Sequence, residues 1–413
     1  MAQKTLNVLF TIYFHKLNLL VESSNYIFMI ILVNGSVIKK GGAVQVYVNF
    51  IRSSSIYIEN IFFIVNKIIL PEIEELVSKH SKNFFIIDQS PSHPIYGYKS
   101  RKMLKKIEKE VNPTFVYSIG YPSYVRFTSL EIGRLTNPWL IFNIFDLPWN
   151  KLPLKQKIIY FITILYQSLL ISKDSILITQ TEFARISIAR RYYLFDTNIF
   201  VIPNSPGERF FLKKHEDLIL DRFSLPNSIF CISADYYHKN LEIIPLVAYN
   251  LKKMGLDEFT FYITLDFNSP ILELILKKAI RLNVSDKIIN LGKLKLNELN
   301  QYYSMAKICF FPTLLEVSSV SFIEASSYGI PIIASKNIYN YELCGEFAAY
   351  FENENHISAA ESLNLILCNR TLFESFSKKS NDLWETHKNK DVVHDSRKIS
   401  SFYSLVNNRF DQQ

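Results

Sequence analysis

No apolar stretch in this chain reaches the roughly 18–20 residues that a membrane-spanning helix needs. The nearest approach, residues 158–171, is interrupted by Thr163, Gln167 and Ser168, and is expected to form a core helix rather than an interfacial one. The four cysteines (Cys231, Cys309, Cys344 and Cys368) show no CxxC spacing and no disulfide framework. Free thiols in a reducing compartment are expected. The eight histidines form no H-E-x-x-H pattern or other cluster, so no metal is expected. No G-K-[ST] follows a glycine-rich loop, which excludes a Walker-type phosphate site, and no full GxGxxG is present, which disfavours a dinucleotide cofactor. Internal repeats and low-complexity tracts are missing as well. Charge of one sign is only mildly in excess: 46 basic against 38 acidic residues give +8 over 413 residues. That balance permits attraction to anionic lipid or an anionic substrate without demanding nucleic acid.

What is present is a large stock of core. Hydrophobic residues make up 48% and charged residues 20%, enough for two or three packed domains and against global disorder. Residues 1–28 hold an apolar patch at 7–14 with His15 and Lys16 behind it, but no small-residue cleavage site. They are read as a dispensable N-terminal extension, with the first domain opening at Met29.

From there, apolar strand-like runs alternate with helix-like stretches. The first series is 28–33, 61–65, 84–87, 115–119, 140–145, 176–178 and 199–202, with helical spacing over 43–51, 102–111, 154–171 and 182–193. After Pro203-Asn204-Ser205-Pro206-Gly207 a second series runs 229–232, 261–265, 288–291, 308–311, 331–334 and 348–351. Continuously apolar strands separated by helices are the pattern of parallel sheets covered on both faces. The expected fold is α/β, with two Rossmann-like doubly wound parallel-sheet domains facing a central cleft. The expected boundaries are 29–205 for the first domain, 206–227 for a connector, 228–376 for the second domain, and 377–413 for a helical tail packing back on the first.

The residues that carry chemistry gather in the second half. Glu316 and Glu324 lie eight positions apart, one in the loop after an apolar strand and one in the helix that follows. Bare E-x7-E spacing is common by chance. Placed after a parallel strand, both carboxylates are expected at one crevice, where they can accept hydrogen bonds from sugar hydroxyls. Ser318 and Ser319 can cap the helix. Lys239, with Asn240, follows the first strand of the second domain, either as a plain loop lysine or as a cation for a leaving diphosphate. Gly41 and Gly42 follow the first strand of the chain, either as a simple turn or as a close approach for substrate at a helix start. Asp146 ends the run 140–145 and is either a solvated or capping residue or an acceptor-side group. Lys99, Arg101, Lys102, Lys105, Lys106 and Lys109, near Tyr96 and Tyr98, form a basic stripe that is either a solvated helix face or a contact for anionic lipid.

The stretch Pro312-Thr313-x-x-Glu316, Glu324-Ala325, Gly329, Pro331, Ala334-Ser335 resembles the P-S-x-x-E-G-F-G-x-x-x-x-E-A-x-x-x-G-x-P-V-x-A-S pattern of the retaining glycosyltransferases of family 4. These enzymes have the GT-B fold and include bacterial surface-polysaccharide transferases. Residues 342–351, 201–205 and 178–183 resemble further stretches of the same family. The resemblance implies a metal-independent transferase of hexosyl type. A sugar would pass from a nucleotide-diphosphate donor, a substrate rather than a cofactor, to a glycan or lipid-linked acceptor in O-antigen or capsule biosynthesis. It places the protein in the cytoplasm, with possible peripheral contact at the inner face of an anionic membrane. By the resemblance, Glu316 contacts the donor sugar and Lys239 the diphosphate, as the catalytic pair. Glu324 contacts the ribose, while Asn240, Ser318, Ser319, Gly41 and Gly42 line the donor site. Two departures stand out: Val317-Ser318-Ser319 replaces the family's G-F-G, and Ala234 stands where many members have an arginine. A nucleotide-sugar epimerase on the same scaffold, and a nucleotide-sugar-binding protein without turnover, are the alternatives.

Overall fold

The computed structural model describes residues 30–39, 41–93, 96–204, 221–295 and 298–387. The expected extension, most of the connector and the tail beyond 387 lie outside the described residues. The chain divides into two compact units, each built on a parallel sheet, as the alternating pattern implies.

The first unit holds a seven-stranded sheet of order β3-β2-β1-β4-β5-β6-β7. Its strands are β1 (Ile31–Gly35), β2 (Ile61–Asn66), β3 (Phe84–Ile87), β4 (Phe115–Ile119), β5 (Leu130–Arg134), β6 (Ile176–Thr179) and β7 (Ile199–Val201). Side chains alternate between faces along each strand. Val33, Phe63 and Val65 therefore meet Tyr47, Val48 and Ile51 of α1 (Gly42–Ser54) on one face. Leu32, Ile64 and Val116 meet Leu104, Ile107 and Val111 of α2 (Gly97–Val111) on the other.

Two expectations fail in this unit. The run 140–145 is not a strand. Pro138–Ile141 is a helical turn with Pro138 at its start and the Asn137 side chain accepting from the Trp139 amide, and Ile144–Asp146 is a 3-10 turn. The fifth strand is instead β5, whose Glu131, Gly133 and Arg134 hide it from an apolar-run reading. Each of them is accommodated by a specific contact. Glu131 accepts from the Ser118 hydroxyl at 2.5 Å. Arg134 donates to the Asn204 side chain at 2.8 Å. A Cβ at Gly133 would lie 2.4 Å from the Tyr121 ring. The second failed expectation is the core helix. α3 (Leu154–Leu169) forms, but Ile164 is its one buried residue.

The second unit holds a six-stranded sheet of order β10-β9-β8-β11-β12-β13. The strands are β8 (Ser228–Cys231), β9 (Thr260–Ile263), β10 (Ile288–Asn290), β11 (Ile308–Phe311), β12 (Ile332–Ser335) and β13 (Ala349–Phe351). All six lie where the apolar runs place them. Cys231, Cys309 and Cys344 are buried free thiols, and Cys368 is an exposed one. Residues 146–157, numbered within the expected first domain, belong to this second unit. Lys151 explains why: its ammonium lies 3.3 Å from Glu242 and 2.8 Å from Glu354, and donates to the Asn240 side chain at 2.9 Å. The tail is expected to begin at 377. Residues 370–387 form one helix, and 377–387 stay with the second unit. The Ser377 and Ser380 hydroxyls donate to the carbonyls of Gly329 and Ile330.

Two substitutions test this packing. The buried Arg222 guanidinium donates to the carbonyls of Tyr303, Ser304, Ala306 and Tyr328, closing the end of a helix against a turn. Arg222→Ala strips the donors from these acceptors and is expected to lower the unfolding free energy by about 2–4 kcal/mol in urea titration. Glu131 gives a pH signature. Burial pushes its carboxyl from 4.5 up to about 7, against the Ser118 and Ser123 hydroxyls, with Glu108 adding to the rise. The folded chain therefore holds a proton that the unfolded chain releases. This contribution is complete at pH below 4.5 and is lost as pH climbs through about 7. Glu131→Gln, which stays neutral, is expected to flatten that fall in urea midpoints measured across the same range.

Candidate active site

The crossovers from β8 to β9 and from β10 to β11 run in opposite directions across the second sheet. At such a switch point the loops leaving the two central strands diverge and leave a crevice at their carboxyl ends. The loops after β8 and β11 carry the residues singled out from the sequence.

β8 leads through Ser233 and Ala234 into a 3-10 turn, Tyr237–Lys239, that ends at Asn240 in the left-handed region (φ 55°). β11 is buried along its whole length and leads into Pro312-Thr313-Leu314. The two loops are tied together at the His238 carbonyl, which accepts from the Leu314 amide at 2.7 Å and from the Thr313 hydroxyl at 3.3 Å. The Thr313 carbonyl in turn accepts from Ser335, Asn337 and Tyr339. With both backbones held, Lys239 and Glu316 form a direct ion pair. Both side chains are only partly exposed, at 19% and 16%, so the pair is shielded from full solvent screening but remains reachable. The second Glu316 oxygen accepts from the Val317 amide at 3.1 Å.

Glu324 has other neighbours. It lies on α4 (Val320–Ser326), 1% exposed, and accepts from the Tyr303 hydroxyl at 2.9 Å. Tyr303 is itself fully buried, stacked on Tyr328 and edge-on to Phe230, and burial drives its hydroxyl well above its ordinary value. The expected meeting of two carboxylates and one ammonium in a crevice is thus met by Lys239 and Glu316, while Glu324 is held in the core by Tyr303. Asn240 differs from expectation too. It is completely buried, with its side-chain oxygen on Lys151. Ser319 stands at the N-cap of α4 without a side-chain capping bond, and Ser318 is half-buried beside it.

In the first unit, Gly41 (φ 74°) and the exposed Gly42 open α1, and a Cβ at Gly42 meets nothing within 4 Å. Asp146 is exposed in its 3-10 turn, not at a strand end. Among the described residues no group of three or more His, Cys, Asp or Glu is placed to hold a metal ion.

Lys151 and Tyr303 were not reached from the sequence. Lys151 had one local signal, the proline-bracketed Pro148-Trp149-Asn150-Lys151-Leu152-Pro153. Tyr303 had none, because its partner lies in another helix.

Residues 222–386 match the family described as glycosyl transferases group 1. No curated protein matches the chain. Solved structures share its fold at low identity. HepE from Anabaena, solved with UDP and glucose, is 12% identical with a TM-score of 0.68, over 91% of this chain and 100% of that one. A glycosyltransferase from Rickettsia africae is 15% identical with a TM-score of 0.65, over 92% and 99%. WaaG, a glycosyltransferase involved in lipopolysaccharide biosynthesis, is 12% identical with a TM-score of 0.67, over 90% and 99%. The second unit therefore carries a glycosyl transferases group 1 domain, on a chain whose two parallel-sheet units match those of GT-B glycosyltransferases.

Proposed function

We propose that the protein is a retaining, metal-independent hexosyltransferase that moves a sugar from a nucleotide-diphosphate donor to a glycan or lipid-linked acceptor in surface-polysaccharide biosynthesis of O-antigen or capsule type. The observation that carries this reading is the Lys239–Glu316 pair at the switch point of the second sheet, inside the matched family domain. The donor ligands named for HepE, UDP-glucose among them, support the choice of donor class.

In this reading the pair is the resting form of the site. Lys239 and Glu316 neutralise each other until a donor enters. The diphosphate then takes the ammonium, and the carboxylate turns to the sugar hydroxyls. As the glycosidic bond to the diphosphate breaks, charge grows on the departing phosphate oxygens, and Lys239 is positioned to stabilise it. Glu324, fixed by Tyr303, shapes the nucleotide side of the site and takes the ribose. The stretch Val317-Ser318-Ser319, with side chains where the family has glycines, narrows the approach to the sugar. The acceptor is placed at the cytoplasmic face of a membrane, with the exposed lysines of α2 toward anionic lipid.

Three substitutions test the assignment. Lys239→Ala is expected to lower kcat by about 100-fold or more in a transfer assay, because a leaving-group cation is lost. Glu316→Gln is expected to lower turnover with a smaller effect on donor binding, and Glu324→Gln to weaken donor binding with a smaller effect on turnover, by calorimetry with the nucleoside diphosphate. Unchanged kinetics in all three variants would end the reading. Product formed without any acceptor would favour an epimerase, and binding without turnover a degenerate site. A matching nucleotide sugar at about 100 times its dissociation constant is expected to stabilise the fold by about 2.7 kcal/mol.

A further inference from the structure

Charge burial sets one side chain of the first unit apart. Arg134, the last residue of β5, is only 7% exposed. Its guanidinium donates to the side-chain oxygen of Asn204 at 2.8 Å, while its Nε is buried with no acceptor. No carboxylate pairs with it among the described residues. A guanidinium has more donors than one neutral amide oxygen can take. The buried Arg222 and Lys307 are treated differently. Arg222 donates to the backbone carbonyls of Tyr303, Ser304, Ala306 and Tyr328. Lys307 donates to the Leu225 carbonyl and the Asn227 side chain, with the Phe223 ring 4.5 Å from its nitrogen. A cation removed from water without such partners is costly. The fold satisfies Arg134 only in part, which is the mark of a group kept for a ligand.

Ile132 of β5, Ile178 of β6 and Ile202 just past β7 pack in the core on the α1 face of the first sheet. Arg134, Gln180 and Asn204 each follow one of them by two residues, which places them on that face at the carboxyl edge. Ladder bonds persist to this edge. The Leu135 amide donates to the Ile178 carbonyl at 2.9 Å, and the Ile202 amide to the Thr179 carbonyl at 2.8 Å. Because β6 lies between β5 and β7, the Arg134–Asn204 bond spans its end, where Gln180 stands. Gln180 is 3% exposed, and its side-chain nitrogen also lacks an acceptor. Two buried donor groups without acceptors thus stand at the carboxyl ends of neighbouring parallel strands, the edge at which such sheets take their ligands.

Donors of this kind recognise an oxyanion. Phosphate and carboxylate oxygens accept paired N–H bonds from a guanidinium, and an amide N–H beside it adds another. A sugar hydroxyl both donates and accepts, and calls for no full positive charge. We infer that the carboxyl ends of β5 to β7 bind the phosphate or carboxylate group of an acidic glycan acceptor. Arg134 and Gln180 are its donors, and the Asn204 amide oxygen holds its place on the guanidinium until it arrives. The diphosphate of the sugar donor is assigned to Lys239 in the second unit, so this second anion belongs to the other substrate. That step rests on the proposed transfer reaction; the anion site itself does not.

The test is calorimetry with inorganic phosphate and with glucuronate, on the full chain carrying Lys239→Ala so that the cation of the second unit does not contribute. Binding of at least one probe is expected, and the tighter of the two identifies the acidic group. Arg134→Met is expected to weaken it by about tenfold or more, the scale of one lost charge-assisted bond. Asn204→Asp, which supplies a resident carboxylate, is expected to raise the thermal midpoint and abolish binding. Gln180→Leu is expected to weaken binding by a smaller factor, and decides the matter if circular dichroism shows Arg134→Met to be misfolded. No binding of either probe would overturn the proposal, as would binding that folded Arg134→Met or, failing that, Gln180→Leu leaves unchanged. A transfer assay with Lys239 restored tests the acceptor. Arg134→Met is expected to raise the KM for the acceptor by about tenfold or more, with the KM for the donor unchanged. An equal acceptor KM in both proteins would remove the acceptor assignment. No transfer from any nucleotide sugar would overturn the reaction and that assignment together, while the calorimetry still decides the anion site.

Discussion

A single backbone oxygen, the carbonyl of His238, joins the two loops on which the candidate site is built. It accepts from both Thr313 and Leu314, and so ties the turn after β8 to the loop after β11. Diverging crossovers leave those loops apart unless something draws them together. The side chains that meet as a result, Lys239 and Glu316, are separated by 77 positions in sequence. The Thr313 carbonyl, held by Ser335, Asn337 and Tyr339, secures the same loop from the β12 side. The geometry of the ion pair is therefore a product of backbone anchoring, and long flexible side chains need only close the last gap.

Burial governs how the charged groups of the second unit are arranged. A carboxylate removed from water is costly unless it is paired or hydrogen-bonded. Each of the three charge centres solves this differently. Glu316 takes Lys239 and a backbone amide. Glu242 and Glu354 share Lys151, which brings residues 146–157 into the second unit. Glu324 takes a buried phenol. The first leaves a cation and a carboxylate within reach of a ligand. The second draws residues 146–157 into the unit, with Glu354 still partly exposed, and the third fixes the Glu324 carboxylate beside Tyr303.

The two units differ in how plainly their sequence announces them. Strands β8 to β13 are short apolar runs between helices, and buried parallel strands have no other way to look. β5 breaks that rule, because Glu131 and Arg134 meet Ser118 and Asn204 from elsewhere in the chain. Residues 140–145 break it in the other direction. They are as apolar as any strand, yet Pro138 and the Asn137 cap direct the chain into helical turns. For α3, composition alone gave the wrong side of the balance. An apolar helix has no local mark to say which of its faces will be covered.

Local pattern in the sequence determined the alternation of strand and helix, the two-unit α/β class and the motif that holds Glu316, Glu324 and Lys239, because those features depend on neighbours a few residues apart. Tertiary structure alone decided that Lys239 meets Glu316, that Glu324 turns to Tyr303, that Lys151 works in the second unit, and that α3 shows its apolar face. Each of these depends on contacts between segments far apart in the chain, such as the 89 positions from Lys151 to Asn240, and on the cost of leaving a charge or an apolar face without cover.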